Sequence, residues 1–347
     1  MSMMHASQVN DAKPTGANVP PTASLMRWVI IATLPGIATM SYFFGLGVLS
    51  NVVLAAAFGL AFEAAVLRLR RRPLHTTLND SSALVTGVLL GVSLPPASPW
   101  WLIGVGMIAA IVVAKQLYGG LGQNPFNPAM VGYALLLVSF PTYMTLWAPP
   151  QGLLPSGLWA QIAGTLPTAQ LDSLSGATPL DAFKHKGEAV MASEFWAMNP
   201  LPDGTLSAWR WVALAWLAGG LLLVFKRIIS WHIPVAMLGS MLLLATLFYL
   251  SDPSHFASPL FHLLTGAALF GAFFIATDPV SAASSRRGKL IYGAGIGALV
   301  IIIRSVGGYP DAVAFAVLLM NLGVPLLDMY SVPRPTGQPK TPPGEQP

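Results

Sequence analysis

Cysteine is absent from the 347 residues. That excludes disulfides, iron–sulfur clusters and thiolate-held metals within the chain, so any electrons it handles need an organic cofactor. Charge is scarce too: 9% of residues are charged, against roughly 25% in an average soluble domain. With 54% hydrophobic residues and a mean hydropathy of +0.64, no soluble fold could hide the apolar surface, and an integral membrane protein is expected. The histidines, His5, His75, His185, His232, His255 and His262, show no HExxH or paired-ligand spacing, which argues against a metal site.

What is present is a series of long apolar runs. A spanning helix needs about 20 mostly apolar residues. Candidates lie at 25–44, 46–67, 81–94, 100–117, 129–146, 209–225, 233–250, 259–277, 289–306 and 311–330, about ten spans in all. The run 81–94 is short and stops at Pro95-Pro96, which predicts a half-helix buried inside protein. Polar, proline-rich tails flank the spans at 1–24 and 331–347 and read as flexible; the first lacks the pattern of a signal peptide.

Basic residues set an orientation. Arg68, Arg70, Arg71, Arg72, Lys115, Lys226, Arg227, Arg286, Arg287, Lys289, Arg334 and Lys340 share one side if the spans alternate, with Lys13 and Arg27. Only Lys184, Lys186, Arg210 and Arg304 fall on the other. Both termini are therefore expected in the cytoplasm, and the loop 147–208, with Asp172, Asp181, Glu188, Glu194 and Asp203, outside. The net charge of +5 follows from topology and is no nucleic-acid footprint; the apolar runs make the lipid bilayer the expected partner, with no nucleic acid.

The chain partly repeats at an offset of roughly 180 residues. "LVTGVLLGVSLPP" at 84–96 echoes "LLTGAALFGAFFIATDP" at 263–279, in each of which a Thr-Gly pair begins an apolar helix. Five spans per half, at 25–146 and 209–330, invert the second copy, and inverted repeats build sites from broken helices. Of the ionisable groups in or beside apolar runs, Glu63 either snorkels or pairs with the Arg68–Arg72 cluster, and Arg304 reaches the outer interface. Glycines such as Gly87, Gly91, Gly293 and Gly297 suit close helix packing.

Four clusters carry possible chemistry. In "NDSSALVTG", Asp80 or Ser81 caps the half-helix. In "YGGLGQNPFNPAM", prolines forbid a continuous helix, and Asn124 and Asn127 could read the edge of a heterocycle while Phe126 packs on its face; a structured turn explains the stretch equally well. In "FIATDPVSAASSRRGK", Asp278 either caps the following turn or serves an ion path. The fourth is "LDSLSGATPLDAF" at 171–183, where Thr178 suits an N-cap, Pro179 the first helical position and Asp181 the third.

Ser175-Gly176-Ala177-Thr178 in a long outer loop resembles the flavinylation motif of the RnfD/NqrB family, which comprises a membrane protein of the Rnf complex and its counterpart in the sodium-translocating NADH:quinone reductase. "DSSALVTGVLLGVSLPP", "GGLGQNPFNPAM", "ATDPVSA" and "GGYPDAVAFAVLLMN" resemble family signatures, in the family's order over nearly the whole chain; the short N-terminal tail is more like the Rnf member than the quinone-reductase one. The resemblance implies FMN joined through a phosphoester to Thr178 by an external flavin transferase. It also implies a second, noncovalent flavin such as riboflavin, expected near the broken helices where Asp80, Asn124, Phe126, Asn127 and Asp278 lie. The implied fold is all-α, ten spans in two inverted repeats like the urea channels, and the implied partners are other Rnf subunits, including a periplasm-facing flavoprotein. The phosphate is expected near a helix N-terminus, with Asp172 and Asp181 turned away or holding a metal during transfer. The rival expectation is a small-solute channel in which Thr178 is only a cap.

Overall fold

A computed structural model describes residues 22–150, 158–165, 176–187 and 190–331. The first half comprises α1 (Thr22–Phe44), α2 (Gly47–Leu69), α3 (Leu74–Leu78), α4 (Ser82–Ser93), α5 (Trp100–Met107), α6 (Pro128–Ser139) and α7 (Pro141–Thr145). The loop region carries α8 (Leu158–Ala163), α9 (Pro179–Lys184) and α10 (Ala192–Ala197). The second half comprises α11 (Thr205–Phe225), α12 (His232–Ser251), α13 (Pro259–Leu264), α14 (Ala268–Phe270), α15 (Arg286–Ser305) and α16 (Val313–Ser331). The protein is an all-helical polytopic membrane protein.

Helices α1, α2, α11, α12, α15 and α16 are long and apolar enough to cross a membrane. The other four predicted spans are short or interrupted. Both α5 and α14 run on as π-helix, over Ile108–Gln116 and Gly271–Ile275, with Leu117 N–H donating to Val112 O and Ala276 N–H to Gly271 O. Such wide turns insert a residue and recur at functional sites.

The packing repeats between halves. In each, the second span lies on the third and fourth, and the fourth on the fifth; first meets first as α1 on α11, and fifth meets fifth as α6 on α16. The sequence alignment of the repeat needs correcting, however. Thr265-Gly266 does fall in a break, between α13 and α14, but Thr86-Gly87 lies within α4. The matching breaks are marked by left-handed backbone at Ser81 (φ 63°) and Gly266 (φ 65°). Gly87 serves packing: a Cβ there would stand 2.7 Å from Ala56 Cα, so α2 and α4 touch backbone to backbone.

Helix ends from both halves meet beneath the 147–208 loop. Gly176 N–H donates to Trp147 O beyond α7, Ala192 N–H to Ser254 O beyond α12, and Lys184 Nζ to Arg304 O at the end of α15. The ends of the fifth, seventh and ninth predicted spans therefore meet at one place. Lys115 and Arg304, though, are buried rather than presented at a surface.

Candidate functional site

Thr178 caps α9. Its Oγ1 accepts the Asp181 N–H at 3.2 Å, and Pro179 opens the helix with a fixed φ and no N–H to satisfy. Two residues earlier, the Gly176 N–H bond to Trp147 O, 2.6 Å, fixes the loop to the end of the first half. Ala177 between them is exposed. Ser175 and Asp172 lie outside the described residues.

The threonine faces a cavity of about 310 Å³ between the two halves. Trp147, Trp209, Trp216, Phe270, Tyr133 and Tyr309 contribute to its walls, which are mostly apolar. Trp147 and Trp209 pack with centroids 5.2 Å apart, and Trp216 lies 4.6 Å from Phe270. Small-molecule sites are typically apolar cavities of about 300–1,000 Å³ with a few placed polar groups. Here those groups include Thr178, Asp181, His185 and Asp311. A planar aromatic cofactor tethered at Thr178 fits such a chamber.

Asp181 lines the same cavity, with Oδ1 3.1 Å from His185 Nδ1. The hydroxyl thus sits at the N-terminus of a helix of six residues.

The wall of the cavity includes the break between α13 and α14, held by a partly buried ion pair that no local pattern in the sequence announces. Arg304 Nη2 meets Asp311 Oδ1 at 3.0 Å. Arg304 Nη1 donates to His262 O, a carbonyl left without a helical partner at the end of α13, at 2.7 Å. Asp311 Oδ2 accepts the Ala267 N–H that begins α14, at 2.8 Å. One pair thus satisfies both free ends of the broken helix. Arg304 does not reach an interface.

The first half solves the matching problem differently. Asp80 Oδ1 accepts from Ser82 N–H at 2.7 Å, so Asp80, not Ser81, caps α4. Ser82 Oγ donates to the same oxygen and accepts from Lys115 Nζ at 2.7 Å. Lys115 in turn lies 2.5 Å from Glu63 Oε1, which also accepts from Gln116 Nε2 at 2.7 Å. Glu63 therefore pairs with Lys115, within the fold, and not with the arginine cluster. The π-helical stretch ending at Gln116 carries both partners.

The remaining predicted residues are spread along the opposite loops. Asn127 is buried; its Oδ1 caps α6 through Met130 N–H (3.3 Å), and its Nδ2 donates to Ile275 O (3.2 Å), joining the halves. Asn321 reinforces the join: its amide fits best with oxygen toward Asn127 N (3.0 Å) and nitrogen toward Tyr292 Oη (2.6 Å). Asn124 Nδ2 bonds Phe126 O within its own turn, and Phe126 is half-buried. Asp278 Oδ2 accepts from Ser281 N–H and Oγ, a local cap. Among the described residues, none of Asp80, Asn124, Phe126, Asn127 or Asp278 lines the Thr178 cavity.

Residues 10–337 match the model of the NQR2, RnfD, RnfE family. The chain belongs to this family. It is 51% identical over 341 residues to the D subunit of the ion-translocating oxidoreductase complex of Cellvibrio japonicus, covering 96% of each chain. It is 48% identical over 338 residues to the protein so named from Vibrio vulnificus, covering 91% of this chain and 95% of that one. For the Escherichia coli protein of the same name, identity is 48% over 345 residues, with coverage of 95% and 98%. The family match takes in both halves and the whole loop between them, so the Thr178 cavity and the two broken helices belong to one family unit.

Proposed function

We propose that the chain is the membrane-embedded, flavin-bearing subunit of an Rnf-type electron-transport complex. FMN is esterified to Thr178, and electron transfer is coupled to movement of Na+ or H+. The relatives' shared name supports membership of an ion-translocating oxidoreductase complex. The observation that carries the flavin reading is Thr178 itself: a hydroxyl within Gly176-Ala177-Thr178, fixed by a helix cap on the wall of an aromatic chamber.

When bound, FMN supplies the electron-transfer chemistry. The chain supplies attachment, orientation and a dry wall. Ester formation from a flavin dinucleotide breaks the pyrophosphate bond, forms a phosphorus–Oγ1 bond at Thr178, and releases AMP and the hydroxyl proton. The cap hydrogen bond uses an Oγ1 lone pair and not that proton, so the local helix start survives attachment. Exposed Ala177 leaves a transferase room to approach. The tryptophans flanking Thr178 offer stacking surfaces and exclude water. On this reading the loop is periplasmic, the termini are cytoplasmic, and the partners are the transferase and other subunits, including a periplasm-facing flavoprotein. The proposal keeps a second, noncovalent flavin such as riboflavin toward the inner loops, where Asn127 joins the halves.

The two broken helices favour one other reading, a small-solute channel with Thr178 as a plain cap. Denatured protein from cells with an active flavin transferase distinguishes the two. The band is expected to fluoresce under ultraviolet light, and Thr178→Val to be dark. A dark wild-type band ends the flavin reading, and solute uptake into liposomes by the isolated chain establishes the channel. In spheroplasts of the same cells, a membrane-impermeant reagent is expected to label a tag in the 147–208 loop but not one at the C-terminus; the reverse pattern overturns the orientation.

A further inference from the structure

A second cavity, of about 400 Å³, lies on the other side of α9. Leu180 lines both cavities, Thr178 and Asp181 only the first, Phe183 and Lys184 only the second. The polar groups of this second cavity are mostly of one kind: Lys184, Lys186, His255, His262 and Arg304. No carboxylate lines it among the described residues. Two of its lining residues are paired with acids outside it, Arg304 with Asp311 and His255 with Asp252 at 2.6 Å, which leaves the two lysines without a carboxylate partner among the described residues.

Several donors here are not used up. Lys184 Nζ gives one hydrogen bond, to Arg304 O at 2.9 Å, and Lys186 Nζ one, to Val190 O at 3.0 Å; an ammonium has three to give. Arg304 is 4% exposed, and its Nε has no partner. His262 is 7% exposed, and its Nδ1 has none either. Leaving buried polar groups unpaired is costly and rare in folded proteins. Burial also pulls the Lys184 ammonium below its ordinary pKa, a penalty that an anion beside it would reverse.

We propose that this cavity binds a phosphate group, held by Lys184 and Lys186 beside the positive charge of Arg304. Two lysine ammonium groups with donors to spare match a multivalent oxyanion, and the nearby guanidinium adds a fixed positive charge. The cavity is larger than a bare anion needs, and Phe183, Phe256 and Phe261 wall its remainder. The ligand is therefore a phosphate ester with an apolar or aromatic body, either an anionic lipid headgroup or a soluble phosphate ester. The site does not depend on Thr178 carrying a flavin.

The test uses the full chain in phosphatidylcholine nanodiscs, titrated with inorganic pyrophosphate against sodium chloride of equal ionic strength. A saturable rise in Tm is expected with pyrophosphate alone. Lys184→Gln with Lys186→Gln is expected to weaken the apparent affinity by about tenfold or more, the loss of charged hydrogen-bond donors. Lys226→Gln, whose ammonium lies over Trp28 at the opposite helix ends, is expected to leave it unchanged. Should the double variant not fold, Lys186→Gln alone decides, with a smaller loss of affinity. In nanodiscs containing phosphatidylglycerol, a higher starting Tm with no further pyrophosphate response assigns the headgroup. An unchanged pyrophosphate response assigns the soluble ester. No response to either probe, or one undiminished in the lysine variants, overturns the proposal.

Discussion

The two halves break the same helix and repair it in different ways. At the first break, Asp80 caps α4, and behind it lies a fully enclosed set of Glu63, Lys115, Gln116 and Ser82. At the second, one ion pair, Arg304–Asp311, serves both helix ends and opens onto cavities on either side. The difference teaches that a repeat conserves the backbone problem and not the side chains that solve it. A break in an apolar environment strands carbonyls and N–H groups, and any donor and acceptor within reach will answer them. The enclosed set lines neither of the two cavities described above. The open pair leaves Arg304 with a free donor and Asp311 facing the Thr178 chamber, which is where ligand chemistry is proposed.

The largest effect is expected at the enclosed pair. Lys115→Met leaves Glu63 buried without a counter-charge and is expected to cost about 3–5 kcal/mol, read as a lowered unfolding midpoint. Glu63→Gln with Lys115→Met is expected to recover much of that loss, because no uncompensated charge remains. Additive losses would mean that the two side chains do not form a unit.

A smaller effect is expected at the open pair. Asp311→Asn keeps an oxygen for Ala267 N–H but loses the charge facing Arg304. Asp311 is partly exposed, so the cost should be about 1–3 kcal/mol. In the flavin-loaded protein the same variant is expected to shift the flavin absorbance band, since Asp311 lines the Thr178 cavity. An unshifted band would place the flavin away from this wall.

The smallest pair of effects sharpens the contrast in backbone. Gly266→Ala adds a Cβ at φ 65°, 2.8 Å from Asp311 Oδ2, and is expected to cost about 1–2 kcal/mol or more. Ser81→Gly relieves a left-handed serine that makes no cap bond, and is expected to be neutral or stabilising by up to about 1 kcal/mol. Equal signs in thermal unfolding would refute the view that these two residues mark equivalent turns.

Much of this was legible in the chain. Apolar run lengths located the spans because a bilayer fixes their length, and Pro95-Pro96 announced the end of α4. The Thr178–Pro179–Asp181 cap was readable because capping is local. The sequence marks Thr265-Gly266 and Thr86-Gly87 alike as helix starts, yet the first lies in a break inside the run 259–277 and the second within α4. A Thr-Gly pair is compatible with a close-packed helix as easily as with a break, and only the contact between α2 and α4 decides which. Lys115 was counted as an inner-face charge because its distance in sequence from Glu63 hides their meeting. Arg304 and Asp311 were closer in sequence, yet a turn through Gly307-Gly308 gives no rule for bringing them together.

By itself, the sequence determined the class: a cysteine-free membrane protein of apolar helices, with a hydroxyl at Thr178 primed by local capping chemistry. These follow from composition, run length and neighbours a few residues apart, where the chain has little choice. Only the tertiary structure decided which charges are buried and paired, and that Thr178 faces an aromatic chamber between the halves. It alone put a basic cavity on the far side of α9. Those features are made by residues distant along the chain, brought together because broken helices inside a membrane must satisfy their free ends from whatever packs against them.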